Sequence, residues 1–101
     1  MAVDASLEVG RLIGAAVEAQ SDMRYFGEGE GTVRDLAARA LTLDPESEEA
    51  RALLRKVGER MAWDADAAIR EGSPDEARAL VDECLRLVEG HPRCVAVARR
   101  L

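Results

Sequence analysis

Residues 44–73 constrain the fold of this chain more than any other stretch. They read DPESEEARALLRKVGERMAWDADAAIREGS, with apolar residues recurring at spacings of three and four. The apolar positions are Ala50, Leu53, Leu54, Val57, Met61, Ala65 and Ala68. Asp44 and Pro45 are typical of a helix start, and Gly72 is typical of a helix end. The stretch therefore predicts one helix of roughly 40 Å. Gly58 lies inside it and lowers helix stability by about 1 kcal/mol relative to alanine.

The first half of the chain recurs in the second half at an offset of 44 residues. The matching pairs are Val9–Leu53, Arg11–Arg55, Ile13–Val57, Gly14–Gly58, Val17–Met61, Asp22–Asp66, Tyr25–Ile69, Val33–Ala77, Leu36–Leu80, Ala37–Val81, Ala40–Cys84, Leu41–Leu85 and Leu43–Leu87. A period of this size is typical of helical repeats, in which each unit is one supersecondary structure that buries its apolar face against a neighbour.

Each unit predicts a long helix, a glycine-containing turn and a shorter helix. The first unit predicts helices over 5–25 and 32–43, joined by the turn FGEGEG. In the second unit, the long helix precedes a helix over 74–88, for which Ser73 and Glu76 form a capping box. The prediction is an all-α fold of stacked antiparallel helical hairpins, about four helices plus a short C-terminal helix. It forms a single domain over 1–101, with repeat 1 at about 4–45, repeat 2 at about 46–90 and a truncated capping helix at 92–101.

Composition and charge argue against two classes of partner, nucleic acids and membranes. The formal net charge is −6, which disfavours nucleic-acid binding because that affinity depends on neutralising phosphates. No apolar run is long enough for a membrane span, and the first residues, MAVDASLEVG, lack the features of a secretory signal. We therefore expect a cytoplasmic protein with neither nucleic acid nor membrane as a partner.

Residues 72–87, GSPDEARALVDECLRL, resemble the second half of a tetratricopeptide repeat. The likeness consists of Gly72 in the turn, an Asp-Glu-Ala start, bulky apolar residues and the small residue Cys84. The stretch ALTLDP at 40–45 resembles the repeat ending of the same family. The resemblance implies antiparallel helix pairs stacked into a right-handed superhelix that serves as a protein-interaction scaffold. The period of 44 exceeds the family's 34 residues, so the family's peptide-contact positions are not transferred.

Cys84, His91 and Cys94 are the candidate soft metal ligands. Their spacing, C-x6-H-x2-C, matches no common zinc pattern. Cys84 lies on the apolar stripe of its helix, where a free cysteine behaves as a small hydrophobic residue. We favour core packing for Cys84 over a Cys84–Cys94 disulfide or a metal site, and we predict neither metal nor cofactor. His91, before Pro92, is expected to cap or turn the chain.

Catalytic features are weak. The glutamates of GEGEG at 27–31 would repel a phosphate, so the segment indicates a flexible helix–helix turn, with an acidic contact loop as the alternative. Acidic pairs such as Glu48-Glu49, Asp64/Asp66 and Asp75-Glu76 have no nucleophile or paired histidine near them in the sequence. We predict no catalytic residues and no enzymatic activity.

Trp63 lies about 140° from the apolar stripe of the central helix. It either packs between repeats or anchors a partner, as tryptophan often does at interfaces. The sequence predicts a non-enzymatic protein–protein interaction or scaffold module that binds a partner protein or self-associates, as a homodimer or as a subunit of a complex. The predicted contact residues, in a groove walled by the long helices, are Arg51, Arg55, Trp63 and Arg70. The alternative is a small regulatory domain or subunit associated with a kinase or other enzyme complex.

Overall fold

A computed structural model describes the backbone of residues 2–101 and the side chains from residue 5 onward. The described chain contains five helices: α1 Ala2–Ser21, α2 Val33–Leu43, α3 Glu48–Arg70, α4 Pro74–Leu87 and α5 Pro92–Ala98. Residues 2–101 contain no strand, which confirms the all-α prediction. Within this part of the chain, none of the helices has the length and apolar character that crossing a bilayer requires.

The chain divides into two compact units, Met1–Leu54 and Arg55–Leu101, with α3 contributing to both. In the first unit α1 packs against α2. The buried apolar residues of this unit are Val9, Leu12, Ala16 and Ala19 of α1, Val33, Leu36, Ala37 and Ala40 of α2, and Ala50, Leu53 and Leu54 of α3. Their helical spacing and the many alanines produce a core of closely approaching helices.

The end of α1 differs from the sequence prediction. Helix α1 ends at Ser21, so the predicted extension to Tyr25 is wrong. Met23 adopts a left-handed backbone with φ of 62°. The Arg24 N–H donates to the Ala19 carbonyl at 2.8 Å, and the Met23 N–H donates to the Gln20 carbonyl at 3.0 Å. This pair of bonds is a Schellman motif, which usually has glycine at the left-handed position. Because methionine is not typical of the left-handed position, the sequence did not predict that α1 ends at Ser21.

The turn between α1 and α2 is tied to the start of α2. Thr32, predicted as the first residue of this helix, lies just outside α2 and is its N-cap. The first three N–H groups of α2 are all bonded: Val33 to the Arg24 carbonyl (2.9 Å), Arg34 to the Tyr25 carbonyl (3.0 Å) and Asp35 to Thr32 Oγ1 (3.2 Å). The Arg34 side chain also donates to the Gly27 carbonyl at 2.9 Å. These donors are therefore engaged within the protein and do not form a phosphate cradle.

Two predicted helix caps are wrong. Helix α3 begins at Glu48, not after Asp44, and Ser47 caps it by accepting a hydrogen bond from the Ala50 N–H at 3.2 Å. Asp44 instead ends α2. Ser73 makes no side-chain cap bond to α4, so the predicted capping box is absent. The prediction of Gly72 as the end of α3 is confirmed by its φ of 82°.

The second unit consists of the later part of α3 together with α4 and α5, and α4 packs against α5. Its buried residues are Val57, Gly58, Met61, Ala62, Ala65 and Ala68 of α3, Ala77, Val81 and Cys84 of α4, and His91, Cys94 and Val97 at or within α5. This core also rests on aliphatic and small side chains, but it adds one methionine, two cysteines and a histidine.

The α2–α3 and α4–α5 corners share one hydrogen-bond pattern at the 44-residue offset. The matching bonds are Asp44 N to Ala40 O and Val88 N to Cys84 O (both 2.8 Å), Ser47 N to Asp44 O and His91 N to Val88 O (3.1 and 3.2 Å), and Arg51 N to Ser47 O and Val95 N to His91 O (3.2 and 2.9 Å). The two corners therefore share these three hydrogen bonds, although Gly90 has a φ of 70° and the matching residue Glu46 has no positive φ. This equivalence matches Cys84 with Ala40, His91 with Ser47 and Cys94 with Ala50.

Candidate functional site

The second unit buries its two cysteines and its histidine beside Gly58. Cys84 of α4 and Cys94 of α5 form a disulfide with an S–S distance of 2.07 Å, and both residues are 0% exposed. His91, at the N-cap of α5, is 3% exposed. The two sulfurs and one imidazole nitrogen lie within 4.8 Å of one another. We call these three residues the Cys–His–Cys cluster.

Gly58 allows this cluster to approach the backbone of α3. A Cβ at this position would lie 2.6 Å from His91 Cδ2, 3.0 Å from His91 Nε2 and 3.1 Å from Cys84 Sγ. At the equivalent position of the first unit, a Cβ on Gly14 would meet nothing within 4 Å. Packing against the cluster therefore explains why glycine occurs at position 58, although glycine weakens the helix. The same explanation does not apply to Gly14.

The hydrogen bonds of His91 define its tautomer. The backbone N–H of Arg93 donates to His91 Nδ1 at 3.2 Å, so Nδ1 is an acceptor. In a neutral ring, Nε2 then carries the hydrogen and donates it to the Arg55 carbonyl oxygen, 3.1 Å away. This arrangement confirms the expectation that His91 caps the helix. It also gives the ring a second role, because it links the start of α5 to the backbone of α3.

The carbonyl oxygen of Gly58 lies close to both sulfurs. The distance is 3.3 Å to Cys94 Sγ and 3.7 Å to Cys84 Sγ. Disulfide sulfurs carry no hydrogen, so these approaches are contacts and not hydrogen bonds in the oxidised pair. Once reduced, each thiol would have this carbonyl within reach as an acceptor.

The disulfide corrects the interpretation of Cys84 as a free core cysteine. Its burial is confirmed, but its sulfur is bonded. The two cysteines are ten positions apart in the sequence, and their Cα atoms lie 6.5 Å apart across the α4–α5 corner. A Cα separation of this size permits a disulfide. Sequence spacing alone does not show that the corner brings the two side chains together.

The Cys–His–Cys cluster does not fit a zinc ion in this arrangement. Structural zinc takes four ligands, and no fourth His, Cys, Asp or Glu within the described side chains joins the three. Both nitrogens of His91 already have partners, and the sulfurs are bonded to each other. The chemistry available to the cluster is thiol–disulfide exchange.

The outer face of α3 is a second candidate site, and Trp63 is at its centre. The Trp63 side chain is 65% exposed. Two ion pairs flank it, Arg60–Asp64 at 3.2 Å and Asp66–Arg70 at 3.4 Å. Lys56 and Glu59 extend the face toward the start of the helix and are exposed. We call this surface, Lys56, Glu59, Arg60, Trp63, Asp66 and Arg70, the Trp63 face.

Asp66 connects this face to the C-terminal residues. It accepts a short hydrogen bond from the Arg100 side chain in addition to its ion pair with Arg70. The bond from Arg100 lowers the pKa of Asp66, partial burial opposes that shift, and the charges of Arg70 and Arg100 add to it. The carboxylate therefore holds two guanidinium groups in place and is stabilised in its ionised form.

The structure places the four predicted contact residues differently. Trp63 and Arg70, seven residues apart, lie within about 20° on the helix and share one face. Arg55 is exposed about 80° from Trp63, and its carbonyl binds His91. Arg51 belongs to the other unit, where its side chain binds the Pro45 carbonyl and Glu48. The contributions of Asp66 and Arg100 were missed, because residues 34 positions apart have no local signal for their pairing.

The first unit contains an open groove of about 580 Å³. Its lining residues are Ala5, Ser6, Val9, Gly10 and Ile13 of α1, Leu43 and Asp44 at the end of α2, and Ser47, Glu48 and Glu49 at the start of α3. None of the predicted contact residues lines this groove. Among the predicted contact residues, Trp63 is the one large apolar side chain, and it is 65% exposed.

Comparison with family models, curated proteins and solved structures gives no match. The tetratricopeptide resemblance therefore stays a prediction based on the residues quoted for it.

Proposed function

We propose that this protein is a non-enzymatic protein–protein interaction module that works through the Trp63 face, and that this face binds a second copy of the chain. The observation that supports this proposal is the exposure of Trp63, 65%, within a regular helix of 23 residues. A large aromatic side chain on a rigid element is the kind of residue that dominates binding energy at interfaces.

The exposed part of Trp63 is a sizeable source of binding energy. A tryptophan side chain buries about 200 Å² when fully covered, so about 130 Å² remains available in the monomer. At about 25 cal/mol per Å², covering that area contributes about 3 kcal/mol for each copy. The flanking ion pairs already order the charged side chains around the indole, which reduces the entropy lost on association.

One pair of charged positions on the Trp63 face is complementary in a contact with a second copy. In a twofold, antiparallel contact centred on Trp63, residues equally distant from Trp63 in sequence face each other. Arg60 and Asp66 each lie three residues from Trp63, so Arg60 of one copy would meet Asp66 of the second copy twice per dimer. Arg70 would face Lys56, but Arg70 keeps Asp66 as its own counter-ion at 3.4 Å.

The test is sedimentation equilibrium combined with tryptophan fluorescence. The chain has one tryptophan, so its emission reports on this face alone. We expect a monomer–dimer equilibrium, and a blue shift of the emission as the concentration rises. Trp63→Ala removes the indole from both copies, and it should raise the dimer dissociation constant at least about 100-fold, because the loss of about 3 kcal/mol from even one copy corresponds to more than this factor.

The matched control is Leu7→Ala. Leu7 is a helical apolar residue of the same exposure, 65%, in the other unit. It should leave the dissociation constant unchanged. A wild-type protein that stays monomeric at millimolar concentration, with constant emission, would refute self-association through this face.

A further inference from the structure

We propose that Cys84 and Cys94 form a reversible thiol–disulfide site whose redox state controls the docking of α5. Its co-reactants are dithiols in the reducing direction and disulfides in the oxidising direction. The inference rests on the Cys–His–Cys cluster and is independent of the Trp63 face.

The first unit indicates that this corner does not need a disulfide in order to form. Its α2–α3 corner has the same hydrogen bonds as the α4–α5 corner. There Ala40 and Ala50 occupy the positions of Cys84 and Cys94, and both alanines are 0% exposed. The shared hydrogen bonds therefore form in the first unit with two methyl groups in place of the two sulfurs. The cysteines add a chemical property to a corner that is already compatible with the fold.

The reduced state would also be accommodated. The Gly58 carbonyl lies 3.3 Å and 3.7 Å from the two sulfurs, so the thiols have a buried acceptor in place. His91 keeps both of its hydrogen bonds without any contribution from the sulfurs. Reduction thus leaves no described polar group of the cluster without a partner, and the dithiol form is expected to stay folded.

Access to the buried sulfurs requires α5 to move. This helix has seven residues, too few to be stable alone in water. Apart from the disulfide, it is held by buried Val97, by the His91 ring and by the contact of Arg100 with Asp66. That ion pair is half-exposed, with side-chain exposures of 50% and 32%. Transient opening of the rest of 92–101 around the intact disulfide would expose the two bonded sulfurs to a reductant.

The dithiol reductant supplies the electrons and the protons for the exchange reaction. One thiolate of the reductant attacks a sulfur of the pair, breaks the Cys84–Cys94 bond and forms a mixed disulfide with one cysteine. The second thiolate of the reductant then displaces that cysteine. Two electrons pass to the protein and two protons reach the leaving thiolates, so the products are two protein thiols and the oxidised reductant. A disulfide co-reactant reverses every step.

The expected effect on α5 follows from the ten-residue separation of the cysteines. Closing a loop of this length by a disulfide disfavours opening by a factor of about 100 on the loop-entropy estimate. Reduction should therefore raise the open population of α5 about 100-fold. Hydrogen exchange at the amides of Val95 to Ala98 should accelerate by that factor, whereas α1, in the other unit, should show no change.

The experiment is hydrogen exchange read by mass spectrometry, on the full chain with and without dithiothreitol. Cys84→Ala/Cys94→Ala copies the Ala40/Ala50 corner and should reproduce the reduced pattern. An unchanged exchange rate in α5 would overturn the proposal. Equal acceleration in every helix would also overturn it, because the disulfide would then be a global stabiliser. Added Zn²⁺ should not restore protection to the reduced protein, and restoration would overturn the assignment in favour of a metal site.

The route of access has its own test. Arg100→Ala removes the contact with Asp66 and should accelerate reduction by dithiothreitol, measured as the rate of thiol appearance. Arg99→Ala changes the exposed neighbouring arginine and should leave that rate as in the wild type. Equal rates for the wild type and Arg100→Ala would refute opening of α5 as the route to the sulfurs.

Discussion

Gly14 and Gly58 occupy equivalent positions of the sequence repeat, yet alanine should affect them in opposite directions. Both lie inside helices, where replacing glycine by alanine stabilises by about 1 kcal/mol through backbone entropy. Gly14→Ala should realise this gain, because its Cβ would enter open space. We expect its melting temperature to rise by about 5 °C.

Gly58→Ala should instead destabilise the protein. Its Cβ would lie 2.6 Å from His91 Cδ2, so the ring must move away from α3. Overpacking of this kind costs about 1–3 kcal/mol. Displacing the ring also breaks its bond to the Arg55 carbonyl, for about 1 kcal/mol more. After subtracting the entropic gain, the net loss is about 2 kcal/mol, or roughly 10 °C in melting temperature.

The assay is thermal unfolding followed by circular dichroism, for both variants and the wild type. His91→Ser in the Gly58→Ala background provides the rescue, because Ser47 is the residue at the equivalent N-cap of the first unit. It should recover at least half of the lost stability, whereas His91→Ser alone should destabilise. Equal increases in melting temperature for Gly14→Ala and Gly58→Ala would show that the His91 ring does not rest on the α3 backbone.

Two further predictions concern single residues. Met23→Gly should stabilise the protein by about 1 kcal/mol in urea unfolding, because glycine accepts the φ of 62° without strain and Met23 is mostly exposed; Met23→Ala, which keeps the strain, should give no gain. Asp66, whose pKa is lowered by Arg100, stabilises the fold fully above its unfolded pKa and loses this contribution as the pH falls through its folded pKa. The difference in melting temperature between wild type and Asp66→Asn should therefore shrink on acidification from about pH 5 to about pH 3, and a constant difference would contradict the ion-pair account.

The sequence was sufficient for the helices because helical signals are local. Spacings of three and four defined the apolar face of α3, and Gly72 marked its end correctly. The predicted helix ends were wrong where a residue other than the expected one occupied a capping position. Met23 took the left-handed position that glycine usually occupies, and Ser47 capped α3 in place of Asp44. At Met23 the sequence contained no signal for the left-handed position, and at the start of α3 two possible caps lay three residues apart, so the backbone geometry was needed in both cases.

The candidate sites show the limit of local signals more clearly. The angle of Trp63 from the apolar stripe correctly placed it outside the buried face of α3, since that angle depends on the sequence alone. The angle did not decide between packing and exposure, and the side chain is 65% exposed. The pairing of Asp66 with Arg100 and of Cys84 with Cys94 did not follow from any pattern. These contacts depend on where two helices meet, and residue spacing along the chain does not specify that position.

Turn chemistry and helical periodicity act over a few residues, and they were enough to predict the helical class, the order of the helices and the 44-residue repeat. Packing in three dimensions gives matching residues of the two units different neighbours. For this reason Gly58 lies under the His91 ring whereas Gly14 faces open space, and Cys84 is bonded to Cys94 whereas Ala40 and Ala50 are only packed.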